Sequence, residues 1–145
     1  MRRVVAILDT MWDWRTATSE AGYKEAPRYF HINPENHSGR RLYKLIGKDS
    51  LLLVTNVCRE LVNSAGVHGK PDPLWLSENL SIIDRHPLGQ IQLLLVCGTV
   101  AQKTYRLAEY RPPTAHVMEI AHPAARSWSR KLEQDIIDII ARRAS

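Results

Sequence analysis

The stretch from residue 91 to residue 110, IQLLLVCGTVAQKTYRLAEY, decides the fold. Its first part is a nearly unbroken run of apolar residues, and its second part places apolar residues among polar ones as a helix does. Gly98 stands at the junction, where a tight turn from strand to helix favours a residue without a side chain. A run rich in Val, Ile and Leu is typical of a strand that is buried on both faces. The stretch therefore predicts one strand–turn–helix unit of a parallel sheet covered by helices.

Three further apolar runs predict the remaining strands, at residues 3–9, 51–57 and 115–121. Apolar residues at helical spacing predict helices between and after the strands, at residues 38–47, 73–86, 99–110 and 129–145. Ser38 is the predicted N-cap of the first helix, and Gly47 is predicted to end it. The alternation predicts a single three-layer α/β domain over residues 1–145, with a small, mostly parallel four-stranded sheet.

Size and composition exclude several classes of protein. The chain has 145 residues, of which 44% are hydrophobic, so it has the size of one domain and enough apolar side chains for a core. No apolar run approaches the roughly 18 residues that a membrane-spanning helix needs. The N-terminal MRRVVAILDT has a short apolar part and no small-residue cleavage site, so it predicts a first strand rather than a signal peptide. We therefore expect a cytoplasmic protein that does not bind a membrane.

The charge and the cysteine content limit the kinds of partner and cofactor that the chain is expected to bind. The net charge of +5 favours a polyanionic partner, most often nucleic acid. Cys58 and Cys97 are isolated in sequence, which predicts buried free thiols rather than a disulfide framework or a zinc site. His31 and His37 match no zinc spacing either, so no metal is predicted. They lie in a long irregular segment, residues 11–37, of a length that is usually functional or mobile.

Polar residues follow the predicted strands, where parallel sheets place their sites. Asp9 ends the first strand, Asn56 lies at the end of the second, Gly98 follows the third, and His122 follows the fourth. Because these strand ends meet at one edge of a parallel sheet, we expect the four residues to line a common cleft. Each also has a structural interpretation: a strand-end cap for the aspartate, an Asx turn for the asparagine, a tight turn for the glycine and a loop position for the histidine.

Four segments in this order resemble the uracil-DNA glycosylase superfamily. They are HSGRRLYKLIG (37–47), LLLVTNV (51–57), LLLVCGTVAQKTY (93–105) and HPAARSWS (122–129). In that family a small α/β sheet carries a Ser-Gly-Arg helix start and a strand that ends in Asn. A later strand ends in Gly before a helix, and a final strand ends in His-Pro before a loop that enters DNA. The resemblance extends over roughly residues 36 to 140 and implies a glycosylase fold and activity.

The sequence departs from the family pattern at three places. The first motif of the family carries a glycine and a proline, whereas LDTMWDWRT (8–16) has neither. Ala124 replaces the serine that follows His-Pro, and Arg126 takes the place of the leucine that wedges into DNA. The changed first motif predicts a changed base pocket, for a different or bulkier base than uracil.

The resemblance implies roles for the residues of the cleft. His122 would stabilise the leaving base anion at its carbonyl oxygen. Asp9, or as second choice Asp13, would stabilise the positive sugar and hold the attacking water. Asn56 would recognise the edge of the base, since its amide donates and accepts in one plane. An aromatic residue of the long loop would stack on the flipped base, and the candidates are Phe30, which is preferred, Tyr29 and Trp12.

Two segments are predicted to contact DNA. The helix start at Ser38, Gly39 and Arg40 offers backbone N–H groups and a charge for a phosphate. The loop after His122 would enter the duplex, and its predicted contact residues are Arg126, Ser127, Trp128 and Arg130. A solvated helix face for the helix arginines, and a place in the core for Trp128, are the structural alternatives.

The resemblance thus implies a monofunctional DNA glycosylase that needs no cofactor and acts as a monomer on single- or double-stranded DNA. Its base would be uracil or a modified pyrimidine, in base-excision repair or in defence against modified DNA. The alternative is a binding module of the same fold that recognises a nucleotide or DNA without cutting it. An unrelated nucleotide enzyme is disfavoured, since the chain lacks a Gly-rich phosphate loop.

Overall fold

The computed structural model describes residues 2–9, 27–47, 49–60, 70–87 and 90–144. Strands and helices alternate along the chain: β1 (Arg2–Leu8), α1 (His37–Ile46), β2 (Ser50–Asn56), α2 (Pro73–Asp84), β3 (Leu93–Cys97), α3 (Thr99–Leu107), β4 (His116–Ile120) and α4 (Arg130–Ala144). This order confirms the predicted α/β class. The predicted ends differ from the observed ones by up to three residues, the largest difference being at the C-terminus of α3.

The four strands form one parallel sheet in the order β2-β1-β3-β4. β1 lies at the centre, paired with β2 from Arg2↔Ser50 to Leu8↔Asn56 and with β3 on its other side. The chain thus adds β2 on one side of β1 and then crosses to add β3 on the other. Ligands of open α/β sheets bind at such a reversal, outside the carboxyl ends of the strands. The topology therefore points to the edge at which β1 and β3 end.

Both faces of β1, β2 and β3 are largely buried, which explains why their apolar runs do not alternate with polar residues, whereas the edge strand β4 is mostly exposed. Val4, Ala6 and Leu95 face a core covered by α1 and α4. Val5 and Leu94 face the opposite core, which is covered by α2 and α3. α1 connects the parallel strands β1 and β2 and therefore runs antiparallel to them, so its N-terminus lies at the carboxyl edge of the sheet. No helix in the described parts of the chain is long and apolar enough to cross a membrane.

The segment before α1 covers the outer edge of β2. Phe30 pairs with Val54 as an antiparallel bridge, with N–O distances of 2.9 and 2.8 Å between their backbones. The side chain of Asn36 then caps α1, because its Oδ1 accepts from the backbone N–H groups of Ser38 at 2.9 Å and Gly39 at 3.2 Å. The prediction of Ser38 as N-cap is therefore wrong. Ser and Asn are both good caps, and the helix begins one residue earlier than predicted.

Gly39 is required by packing. It is buried, and a Cβ at this position would lie 2.0 Å from the carbonyl oxygen of Asn33. Gly39→Ala is therefore expected to lower the free energy of unfolding by about 1–3 kcal/mol or more, since helix and loop must separate. Urea denaturation measures this. The neighbouring Arg40→Ala, at an exposed position, serves as the control and is expected to stay within about 0.5 kcal/mol of wild type. Equal stability of the two variants would contradict the close approach.

Candidate active site

The sheet brings four predicted residues to its carboxyl edge. Asp9 follows β1, Asn56 is the last residue of β2, Gly98 follows β3 and His122 lies two residues after β4. The negative charge of Asp9 reaches His122, where it acts to raise the pKa of the imidazole. The edge therefore joins an acid and a histidine that are more than 110 positions apart in sequence.

His122 is held as a neutral hydrogen-bond donor. Its Nδ1 accepts from the backbone N–H of Ala124 at 3.0 Å, so the neutral ring carries its proton on Nε2. The side chain is half-buried, and burial lowers the pKa of His122 below the ordinary histidine value, against the opposing effect of Asp9. The imidazole is therefore uncharged near neutral pH and offers an Nε2–H group to whatever binds at the edge.

Gly98 makes room for this histidine. Its φ is +90°, in the region that favours glycine, and a Cβ here would lie 3.1 Å from the Cβ of His122. Gly98 is also the N-cap of α3, without a side-chain cap. The first turn of α3 thus directs backbone N–H groups toward the edge beside His122. A helix N-terminus carries partial positive charge and favours an anion there.

Asn56 has no hydrogen-bond partner for its amide within the described residues. The residue is 1% exposed, and both Oδ1 and Nδ2 are buried without a partner. A buried polar group left in this way costs about 1–3 kcal/mol, so natural proteins rarely keep one unless it has a function. The Asx turn considered from the sequence is not observed, because it would use the side-chain oxygen. The carboxamide thus keeps an unused donor and an unused acceptor side by side at the carboxyl end of β2.

Phe30 lies on the same side of the sheet as Asn56. It is bridged to Val54 and packs against the core under α1 and α4. Asn56 follows Val54 by two residues, and residues two apart in a strand point to the same face. Tyr29 packs against the opposite core and is not near this face. Of the predicted aromatic residues, Phe30 thus shares a face of the sheet with Asn56, whereas Trp12, together with the acid Asp13, lies outside the described residues.

The loop after His122 consists of two consecutive turns. The N–H of Ala125 donates to the carbonyl of His122 at 2.8 Å, and the N–H of Trp128 donates to the carbonyl of Ala125 at 3.2 Å. Arg126 and Ser127 lie exposed at its tip, and Arg130 is exposed at the start of α4. These three predicted contact residues are accessible from outside.

Trp128 does not have the predicted exposed position. It is 8% exposed, belongs to the core under α1 and α4, and donates from Nε1 to Glu133 at 2.9 Å. A ring buried in this way has no free face for a base, so the interpretation of Trp128 as a wedge in DNA is corrected. Its role is to anchor the loop to the core.

The helix start at the same edge also differs from the prediction. The backbone N–H groups of Ser38 and Gly39 already bind the carboxamide of Asn36, so they are not available to a phosphate while this cap is in place. Arg40 is exposed, and its side chain extends from this end of α1. At this helix start the exposed group is therefore the side chain of Arg40, whereas the two backbone N–H groups are already bonded.

Sequence reasoning missed two residues that support the site. Cys58 donates from Sγ to Oδ1 of Asp9 at 3.5 Å and so helps to orient the carboxylate. Arg41 donates from Nη1 to the carbonyl oxygens of Pro123 and Ala125 in the loop after His122. In the sequence Arg41 looks like its exposed neighbour Arg40. The signal that separates them is helical position, since Arg41 lies one turn before the buried Leu45.

The acid and the histidine give a direct prediction. Asp9→Asn is expected to lower the pKa of His122 further, because it removes the negative charge that now favours the protonated ring. NMR titration of the imidazole measures the change. Glu119→Gln, which removes a carboxylate that is paired with Arg106, is the control and should leave this pKa in place. An unchanged or higher pKa in Asp9→Asn would show that the two groups are not neighbours.

No family model matches this chain, and no curated protein matches it. A neutral imidazole N–H, a carboxylate and an unpartnered carboxamide share one edge with a helix N-terminus. This set can bind a planar polar ring, stabilise negative charge that develops on it and stabilise positive charge beside it. No group of three or more metal-ligating side chains occurs within the described ranges.

Proposed function

We propose that this protein is a monofunctional DNA glycosylase, which flips a uracil-type or modified pyrimidine out of DNA and hydrolyses its N-glycosidic bond. The observation that carries the proposal is the carboxamide of Asn56, buried at the carboxyl edge with neither polar atom bonded to a described residue. A pyrimidine such as uracil presents an N–H donor next to a carbonyl acceptor. One side-chain amide satisfies both, and the base in turn removes the cost of the unpartnered amide.

Phe30 supports recognition of a flat ring. It lies on the same face as Asn56 at the covered edge of β2 and is half-buried. An aromatic side chain next to a hydrogen-bonding amide is the arrangement that binds an extruded base, by stacking on its face while the amide contacts its edge.

His122 and Asp9 fit the bond-breaking step. As the bond between C1′ and the base breaks, its electron pair leaves with the base, and the sugar develops oxocarbenium character. The Nε2–H of His122 donates to the carbonyl oxygen on which the negative charge of the base accumulates. The carboxylate of Asp9 stabilises the sugar and holds the water, whose oxygen bonds to C1′ while one of its protons is released and the base anion is protonated in solution. The product is an abasic site.

Exposed arginines supply the contact with DNA. Arg126 lies at the tip of the loop after His122, Arg130 follows it on α4, and Arg40 extends from the start of α1. The contact of Arg41 with this loop shows that α1 and the loop are neighbours. The arginines thus surround one edge of the sheet in a chain of net charge +5. We propose that they bind phosphates of DNA, with the protein acting as a monomer and without a cofactor.

Labelled oligonucleotides test the proposal. Single- and double-stranded DNA would carry uracil, mismatched thymine, 5-hydroxymethyluracil, or hydroxymethylated or glucosylated cytosine, and hot alkali would reveal abasic sites after incubation. We expect a strand break at one of these bases. Uracil or thymine as the substrate would favour a role in repair, and a glucosylated cytosine would favour defence. Salt-dependent binding of DNA without a break on any member would instead support the binding module.

A further inference from the structure

We propose that Arg41 is a positioning residue for His122, acting through the backbone of the loop that follows the histidine. Its Nη1 donates to the carbonyl oxygen of Pro123 at 2.5 Å and to that of Ala125 at 3.3 Å. Ala124 lies between these two residues, and its N–H is the group that binds Nδ1 of His122. The carbonyl oxygen of Pro123 and the N–H of Ala124 belong to one peptide unit, so Arg41 holds the unit that orients the imidazole and also the carbonyl group of the next residue, Ala125.

The loop alone has few bonds that would hold this amide. Its own backbone contributes the hydrogen bonds from Ala125 to His122 and from Trp128 to Ala125. Without the guanidinium, the carbonyl groups of Pro123 and Ala125 would lose a charged donor, and hydrogen bonds to charged groups are about twice as strong as neutral ones. We therefore expect rotation of the peptide unit that joins Pro123 to Ala124 and loss of a fixed imidazole orientation.

Arg41 is itself held in place by contact with the ring of Trp128. Its guanidinium lies over the ring of Trp128, 5.5 Å from the ring centre. The indole of Trp128 donates to Oε2 of Glu133 at 2.9 Å, while Oε1 of Glu133 binds Lys44 at 2.8 Å. Lys44 belongs to the same helix as Arg41, so the contacts form a closed circuit through α1, the loop and α4. Hydrogen bonds from Lys44 and Trp128 lower the pKa of Glu133, so its carboxylate remains charged at neutral pH.

The side chain must be arginine for this arrangement. A planar guanidinium can stack on an indole and donate in its plane at the same time, whereas the ammonium of lysine is a compact point charge. Arg41→Met keeps much of the apolar stem and removes every donor. Arg41→Lys keeps one charged donor and loses the stacking. Comparison of the two variants therefore separates the contribution of a charged donor from the contribution of the stacking on the indole.

The first test reads His122 directly and does not need excision. Nitrogen-15 NMR of the imidazole distinguishes protonation at Nε2 from protonation at Nδ1. We expect the Nε2–H form alone in the wild-type protein, a mixture of both forms in Arg41→Met and an intermediate spectrum in Arg41→Lys. Arg111→Met is the matched control, because Arg111 also stacks on an aromatic ring and donates to a carbonyl, but at Tyr105 and Arg106 on α3. This control is expected to keep the wild-type spectrum.

The second test rests on the proposed function. In single-turnover excision, Arg41→Met is expected to lose about 10²-fold in rate at saturating protein, with little change in DNA affinity, since a small misplacement of a catalytic group has this effect. If the wild-type protein excises no base, the proposed function fails while the NMR test of Arg41 still stands.

A wild-type tautomer in a folded Arg41→Met would overturn the positioning role. Should Arg41→Met fail to fold, Arg41→Lys decides in the same way: a mixed spectrum supports the role and a wild-type spectrum overturns it.

Discussion

His122→Ala is expected to lower the rate of base excision by about 10²–10⁴-fold, while the affinity for DNA stays near that of the wild-type protein. The imidazole donates from Nε2 to the leaving base, and its effect is greatest when negative charge has developed, so its loss raises the barrier rather than weakening binding. The exposed arginines that would contact phosphates remain in place. Single-turnover excision and DNA titration measure the two quantities separately.

The pH dependence of excision follows from the state of this imidazole. Burial lowers the pKa of His122, with Asp9 acting against the shift. Excision through a neutral His122 is therefore expected to persist as the pH falls below the ordinary histidine value of about 6.5, and to decline as the pH falls through the lowered pKa. His86→Ala, a histidine exposed beyond the end of α2, is the control and should retain the wild-type rate. Excision by His122→Ala at the wild-type rate would contradict the assigned role.

Asn56→Leu is expected to raise the stability of the protein and to weaken its recognition of the base. Neither polar atom of the carboxamide has a partner within the described residues, so an apolar side chain of similar volume removes an unfavourable burial of about 1–3 kcal/mol. The same change deletes two hydrogen bonds to the base. At about 1.4 kcal/mol each, their loss lowers kcat/KM by about 100-fold. Urea denaturation and excision kinetics measure the two effects.

The chain offers a matched control for this change. Asn79 is equally buried, but its Oδ1 accepts from Arg28 at 3.0 Å and its Nδ2 donates to Thr55 at 3.3 Å. Asn79→Leu leaves these partners without their bonds and is expected to lower the free energy of unfolding. Stabilisation by one substitution and destabilisation by the other would mark Asn56 as a residue kept for a ligand. If Asn56→Leu destabilises the protein as Asn79→Leu does, the carboxamide has a structural role.

The sequence was sufficient for the sheet and for the edge at which the site lies. Unbroken apolar runs predicted strands buried on both faces, and parallel strands necessarily bring their carboxyl ends together. Asp9, Asn56, Gly98 and His122 could therefore be assigned to one edge before any contact was known, because each follows a strand. The N-cap was missed, since Asn36 and Ser38 are both suitable and only the backbone conformation distinguishes them.

The environment of individual side chains was not predictable in the same way. The resemblance assigned Trp128 to the loop that enters DNA, with a core position as the alternative, and Glu133 and the core under α1 and α4 determine its buried position. Arg41 contacts a loop more than 80 positions away in sequence, which no local pattern indicates. The missing partners of Asn56 are likewise a property of the packed fold. Such features depend on which elements meet in three dimensions.

The most direct test of the central claim is the release of free base. DNA that carries many different modified pyrimidines would be incubated with the protein under single-turnover conditions, and the nucleobases in solution would be quantified by mass spectrometry. The account predicts that wild-type protein releases one free pyrimidine and leaves an equal amount of abasic sites, and that His122→Ala releases almost none. DNA binding without any released base, or equal release by wild type and His122→Ala, would contradict it.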